Sequence, residues 1–186
     1  LVMLSPYFQR GDAKRLKEIG FSAILSKSVK YSQLYSCIKA VLERREAGAY
    51  PSVENGIITQ FSITEDIKRR IRILIAEDNE VNRKLAVKIL EKAGFMAYTV
   101  PGGREAVEAA EMSFYDIIIM DVQMPGVDGI EATKMIRSGR SLNPDVIIIA
   151  MTARAMKGDR EECESAGMND YITKPVQPQI LIEKIT

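Results

Sequence analysis

The chain has 186 residues, 46% of them hydrophobic, which fits one to two globular domains with a full core. Its 26 Lys and Arg balance 25 Asp and Glu, so no overall charge points to nucleic acid or to an anionic membrane. Histidine is absent, which excludes Ser-His-Asp and Cys-His catalysis, most zinc sites and an internal phosphohistidine.

The chain opens at Leu1 on an apolar run, LVMLS, with no initiator Met, and reads as a piece of a longer protein. Shifted by 147 positions, residues 1–39 fall without a gap on residues 148–186. Gly11, Asp12, Gly20, Lys27, Val29, Leu34 and Ile38 recur as Gly158, Asp159, Gly167, Lys174, Val176, Leu181 and Ile185, and Ser5 falls on Thr152. Residues 1–46, which end in a helix over Tyr31–Arg45, are therefore read as the C-terminal half of an incomplete domain whose full copy lies downstream. Half a core and an open strand edge are an aggregation hazard, so this fragment is expected to pack poorly or to be completed by pairing with another element. Residues 47–70, punctuated by Gly48, Pro51 and Gly56, read as a linker. The run Lys68–Arg72 (KRRIR) reads as a solvated face rather than a nucleic-acid patch.

From Ile71 the pattern alternates strand and helix five times, which argues for a doubly wound parallel sheet covered on both faces. Ile71–Ala76 is nearly all apolar, as in a strand buried on two sides. Val81–Ala93 reads as a helix with Val81, Leu85, Ile89 and Ala93 on one face and Leu90 beside them; Gly94 stops it. Phe95–Val100 is the second strand, and a short helix with Ala106, Val107 and Ala110 inward follows. Tyr115–Met120 is the third strand, followed by the turn PGVDG and a helix over Ile130–Arg137. Val146–Met151 is the fourth strand, and a polar helix spans about Lys157–Ala166. Asp170–Lys174 is the fifth, and a last helix starts near Pro178.

Each strand of the site ends in a different polar group: Glu77-Asp78, Asp121, Thr152 and Lys174. In an open α/β sheet such ends converge where ligands bind. Glu77 and Asp78 are hard oxygen ligands suited to Mg2+, and Asp78 or Asn79 is also placed to cap the helix that follows. Asp121 is a carboxylate able to attack a phosphoryl group. Lys174 offers a point positive charge and Thr152 a hydroxyl. Three clustered carboxylates repel one another, so the site favours a cation. Cys37 and Cys163 lie far apart with no ligand-spaced companions, and both are expected to be structural.

The motifs ILIAEDN at 73–79, IIIMDVQMPGVDG at 117–129, IIAMTA at 148–153 and DYITKP at 170–175 together resemble a CheY-like response-regulator receiver domain, and the resemblance covers essentially all of 71–186. It implies a flavodoxin-like five-stranded sheet of order 2-1-3-4-5, counted within the domain. It also implies a two-component phosphorelay role: phosphorylation of Asp121 from the phosphohistidine of a histidine kinase or histidine phosphotransfer domain, with Mg2+. By the same resemblance Asp78 and Asp121 bind the metal directly, Glu77 mainly through water, and Gln123 through its backbone carbonyl, its side chain tuning dephosphorylation. Thr152 and Tyr171 become the switch pair. Asn82, in EDNEVN, is similar to receivers attached to hybrid histidine kinases. In the N-terminal copy Ser28 replaces the proline after the lysine, Pro6 stands where the full copy has Ala153, and the acids are missing, so that copy transfers no phosphate.

Two other readings stay open: an Asp-nucleophile phosphohydrolase, which would want an acid where Gln123 stands, and a receiver-like interaction module without chemistry. The segment itself is expected to be a phosphoacceptor with at most autophosphatase activity inside a larger hybrid kinase. Without a stretch of about 20 apolar residues or a secretory leader, it is expected to be cytoplasmic and free of membrane contact, although the parent can carry an anchor elsewhere.

Overall fold

The computed structural model describes residues 1–6, 12–46, 57–153 and 157–186, and the chain divides into two units, Leu1–Ile67 and Lys68–Thr186. The first unit contains β1 (Val2–Ser5), α1 (Asp12–Glu18), β2 (Ala23–Ser26), α2 (Tyr31–Glu46), β3 (Ile58–Thr59) and most of α3 (Gln60–Arg70). Its three strands form a parallel sheet in the order β1-β2-β3. Ala23, Leu25, Cys37 and Ile58 make its small core, with Leu34 and Val41 packed against them.

The expected linker ends earlier than the sequence pattern indicated. Residues 47–56, with Gly48, Pro51 and Gly56, lie outside the described residues, but 57–70 carry β3 and α3. The local cause is a reciprocal cap: Thr59 N–H donates to Ser62 Oγ (2.9 Å) while Ser62 N–H donates to Thr59 Oγ1 (3.1 Å). This is a capping box with a serine in the position where Glu or Gln is usual. The basic run then closes α3 in its favoured last turn. Lys68 Nζ donates to the carbonyl of Ala93 at 2.8 Å and lies 5.5 Å from the Phe95 ring centre, and the Arg72 guanidinium lies 5.3 and 5.4 Å from the ring centres of Tyr98 and Tyr115, which meet edge-on.

The second unit runs β4 (Arg72–Ala76), α4 (Glu80–Lys92), β5 (Met96–Val100), α5 (Gly103–Met112), β6 (Ile117–Asp121), α6 (Gly129–Arg137), β7 (Ile147–Thr152), α7 (Lys157–Ala166), β8 (Asp170–Thr173) and α8 (Pro178–Ile185). Its sheet is wholly parallel, in the order β5-β4-β6-β7-β8, which is 2-1-3-4-5 within the unit and the flavodoxin-like winding expected. Successive side chains alternate faces. Leu74, Ala76, Ile118, Met120, Ile148 and Ala150 face α5, α6 and α7, while Ile73, Ile75, Ile117, Ile119, Ile149 and Met151 face α4 and α8. The order reverses between β4 and β6, so the ends of these strands open a crevice.

Helix α4 turns a different face inward from the one expected. Ala86, Ile89 and Leu90 are buried, whereas Val81 and Leu85 are 74% and 48% exposed. A spacing of four over-runs the 3.6-residue turn by about 40° each time, so the four-apart row of Val81 and Leu85 rotates out of the contact that Ile89 keeps. Cys37 and Cys163 are both buried free thiols, and burial pushes both thiol pKa values up, as suits packing residues. Among the described residues no helix is long and apolar enough to cross a membrane.

Candidate functional site

The carboxyl ends of β4, β6, β7 and β8 bring the expected groups together. One carboxylate oxygen from each of Glu77, Asp78 and Asp121 lies within 4.8 Å of the others. Glu77 and Asp121 are buried, at 1% and 3% exposure, while Asp78 stands at the exposed mouth. Lys174 reaches both buried acids, with Nζ 2.6 Å from Asp121 Oδ2 and 2.7 Å from Glu77 Oε2. Asp121 Oδ1 accepts the Gln123 N–H at 3.2 Å. Thr152 is buried, at 8% exposure, and its backbone carbonyl accepts the Lys174 N–H at 2.8 Å, which ties the lysine-bearing strand end to β7.

The electrostatics follow from this crowding. Burial raises the Asp121 pKa above its ordinary value, the hydrogen bond from Lys174 opposes the rise, and the Glu77 charge adds to it. For Lys174 burial pulls the pKa down, but the two carboxylates outweigh it and the net shift is upward. Glu77 Oε2 is the informative atom. It is buried and close to Lys174 Nζ, yet it makes no hydrogen bond of good geometry. Its one close partner is the Lys174 ammonium, and a carboxylate oxygen has lone-pair capacity for a second. A hard oxygen set of three carboxylates with such spare acceptor capacity fits a divalent cation of the Mg2+ type, which takes one or two carboxylates.

The adjacent Asp78 and Asn79 divide two tasks. Asn79 Oδ1 accepts the N–H groups of Val81 (2.9 Å) and Asn82 (3.2 Å) and so caps α4, which leaves the Asp78 carboxylate to the acid cluster. Replacing Asn79 by alanine is expected to cost about 1 kcal/mol of stability, the usual value of a helix N-cap; a urea midpoint unchanged from wild type would show that the cap contributes nothing. Two further residues of α4 brace the acids. Asn82 Nδ2 donates to Glu77 Oε1 at 2.9 Å, and Arg83 Nη1 donates to the carbonyls of Glu77 (2.5 Å) and Asp78 (3.2 Å). Asn82 was legible only as a family trait and Arg83 not at all. The signal available was position, since side chains in the first turn of a helix lean back toward its N-terminus.

Tyr171 on β8 is half-buried, with Arg160 5.4 Å and Lys184 5.9 Å from its ring centre. Lys184 also clasps Asp170 (2.6 and 2.8 Å), whose Oδ1 accepts the Tyr171 N–H. Burial raises the Asp170 pKa, but Lys184 and that N–H outweigh it, and the carboxyl is held below its ordinary value. Its stabilising effect is therefore full above the unfolded Asp value near 3.9 and is lost as pH falls through the lower folded value. The pair is about one-third exposed on each side, so its worth is under about 1 kcal/mol after solvent screening. Lys184→Gln is expected to lower the urea midpoint slightly at neutral pH, with the gap to wild type closing as pH drops below about 4; a gap that persists in acid would refute this.

An open cleft of about 470 Å³ beside the acids is lined by Asp78, Gln123, Met124, Pro125, Asp128 and Glu162. A smaller one of about 60 Å³ on the other side is lined by Glu77, Asn82, Leu85, Lys174, Pro175 and Val176. The peptide between Lys174 and Pro175 is cis.

A doubly wound sheet with an acid cluster, a buried carboxylate and a lysine at its strand ends defines a receiver-type domain. The chain belongs to the response regulator receiver domain family, whose sequence profile matches residues 73–186. It is 41% identical over 113 residues to hybrid signal transduction histidine kinase K of Dictyostelium discoideum, covering 58% of this chain and 9% of that protein. Two solved structures are similar. The receiver domain of the sensor histidine kinase PA1611 from Pseudomonas aeruginosa PAO1, described with a magnesium ion in its active-site cleft, is 42% identical with a TM-score of 0.57, covering 62% of this chain and 93% of that one. The receiver domain of the response regulator Ssk1, crystallised with the histidine phosphotransfer protein Ypd1 of Saccharomyces cerevisiae, gives 36% identity and a TM-score of 0.59, covering 63% of this chain and 88% of the matched one. The chain thus spans under a tenth of the length of the hybrid kinase it matches.

Proposed function

We propose that Asp121 takes a phosphoryl group from the phosphohistidine of a histidine kinase or histidine phosphotransfer domain, as one step of a relay within a longer hybrid kinase, in its cytoplasmic part. The observation that carries this reading is Lys174 bridging two buried carboxylates, one of them Asp121, beside the exposed Asp78.

In this reading an Asp121 carboxylate oxygen attacks phosphorus in line with the leaving imidazole nitrogen. The P–N bond breaks as the new O–P bond forms, the imidazole leaves with the electron pair and takes a proton from solvent, and an acyl phosphate remains. Lys174 holds the attacking carboxylate in place and afterwards pairs with a phosphoryl oxygen. The Thr152 hydroxyl donates to another, and its displacement toward the phosphate shifts the population of Tyr171 rotamers. Asp78, Asp121 and Glu77, with the carbonyl of Gln123, would hold Mg2+, which when bound supplies positive charge beside the transferring phosphoryl oxygens. Exposed Leu85 on α4, which lines the small cleft with Pro175 and Val176, gives a donor protein an apolar footing beside the site, and Val81, one turn earlier on α4, is also exposed.

The test is to incubate the chain with a small-molecule phosphodonor such as acetyl phosphate, with and without Mg2+, and to locate the label by peptide mass spectrometry. An acid-stable, base-labile phosphate on the peptide containing Asp121, formed only with the divalent ion, is expected. Label elsewhere, or label indifferent to the ion, overturns the proposal, and rapid release of many phosphates per chain would favour a hydrolase instead.

A further inference from the structure

The two copies of the sequence repeat can be compared atom by atom. Strands β1 and β2 pair Val2 with Ala23 and Ser5 with Ser26, while β7 and β8 pair Ile149 with Asp170 and Thr152 with Thr173, the same register displaced by 147. The loops agree as well. Ser22 N–H donates to Leu1 O and Asn169 N–H to Ile148 O, both at 2.8 Å; Lys27 N–H donates to Ser5 O at 3.0 Å as Lys174 N–H does to Thr152 O at 2.8 Å. Gly20 and Gly167 share positive φ values of 96° and 98°, and α2 and α8 begin at equivalent residues, Tyr31 and Pro178.

What differs is what covers them. In the complete unit β7 has β6 on its outer side; β1 has no strand there among the described residues, and its Val2 and Leu4 are 36% and 46% exposed where the equivalent Ile149 and Met151 are at 1%. On α2, Tyr35 and Ile38 are 61% and 45% exposed. Their equivalents Ile182 and Ile185 pack against a cluster in which Ile73, Ile75, Ala86, Leu90 and Ile117, all before Ile148, join Ile149, Met151, Ile172 and Leu181. The apolar surface left bare in the first unit is thus the surface that residues 72–147 cover in the second.

We propose that the parent protein supplies the missing cover from the roughly 76 residues immediately upstream of Leu1, the length of the 72–147 segment. That segment adds three parallel strands to the open edge of β1 and lays a helix along Tyr35 and Ile38, which completes a second receiver-type sheet bounded on its far side by β3. The proposal is independent of the phosphoryl chemistry at Asp121.

The test compares the 186-residue chain with one extended upstream by 76 native residues, by amide hydrogen exchange resolved to single peptides. Protection of β1 and of the start of α2 is expected to rise by about 100-fold or more on extension, because a frayed edge becomes a buried strand, with β6 unchanged as an internal control. In parallel, Leu4→Lys is expected to leave the short chain's β2 protection unaltered and to lower it in the extended chain. Equal β1 protection in both chains overturns the proposal, whether the cover is a second copy, seen as a dimer by sedimentation, or residues 68–186. So does an upstream sequence without three strand-like apolar runs.

Discussion

Asp121→Asn is expected to abolish base-labile phosphate incorporation and, in the same protein, to raise the stability of the five-stranded unit at neutral pH. The first effect follows because an amide is no nucleophile toward phosphorus. The second follows from burial: Asp121 is 3% exposed, with Glu77 close by, and its pKa is raised chiefly by desolvation. A carboxyl whose folded pKa lies above its unfolded one stabilises the fold fully below the unfolded value, and that contribution is lost as pH rises through the folded value. The neutral amide escapes the loss, and Lys174 keeps Glu77 as its ion partner. Urea unfolding in a chelator, followed through β6 amide exchange, should therefore show the variant more stable at pH 7 and equal to wild type below about pH 4, the ordinary Asp range. A variant less stable at pH 7 would mean that the Lys174 contact outweighs desolvation and would overturn this prediction.

Gly129→Ala is expected to cost about 3 kcal/mol or more, at the upper end of overpacking and a large share of a domain's total. Gly129 opens α6 with its N–H donating to Val122 O at 3.0 Å. A Cβ there would fall inside contact distance of the Asp121 carbonyl oxygen, 2.9 Å from its carbon and 3.0 Å from Met120 Cγ. Neither backbone atom can swing aside, so α6 must lift or the end of β6 must move, and Asp121 moves with it. Gly126, three residues earlier, makes a useful contrast. It needs its positive φ of 80° but has open space around it, so Gly126→Ala should cost only about 1–2 kcal/mol of left-handed strain. Loss of both stability and phosphorylation in Gly129→Ala, with phosphorylation kept in Gly126→Ala, is the expected pattern; equal effects would show that conformation, not approach, is what residue 129 provides.

The strand ends were legible because burial on both faces writes continuous apolar runs, and a polar residue closing such a run stands out, as at Asp121 and Thr152. Helix starts carrying Pro, such as α8 at Pro178, were legible for the same local reason. Long-range geometry was not. The α4 face was misjudged because Val81 and Leu85 fit a row of four that the real helical pitch does not keep, and β3 and α3 were missed because a Thr-Ser cap is a quieter signal than Gly or Pro. The roles of Arg83, Asn82 and Lys184 depend on which loop each side chain leans toward, a matter of tertiary placement that spacing alone leaves open.

Asp78 and Asn79 sit side by side, one turned to the acid cluster and one to the helix. Because separate side chains carry the two tasks, ion affinity and helix stability become independently adjustable traits at neighbouring positions. Residue 79 can vary among capping residues to shift the melting point while the exposed acid at residue 78 is changed separately, so the charge at the mouth of the site can be retuned without the helix being destabilised.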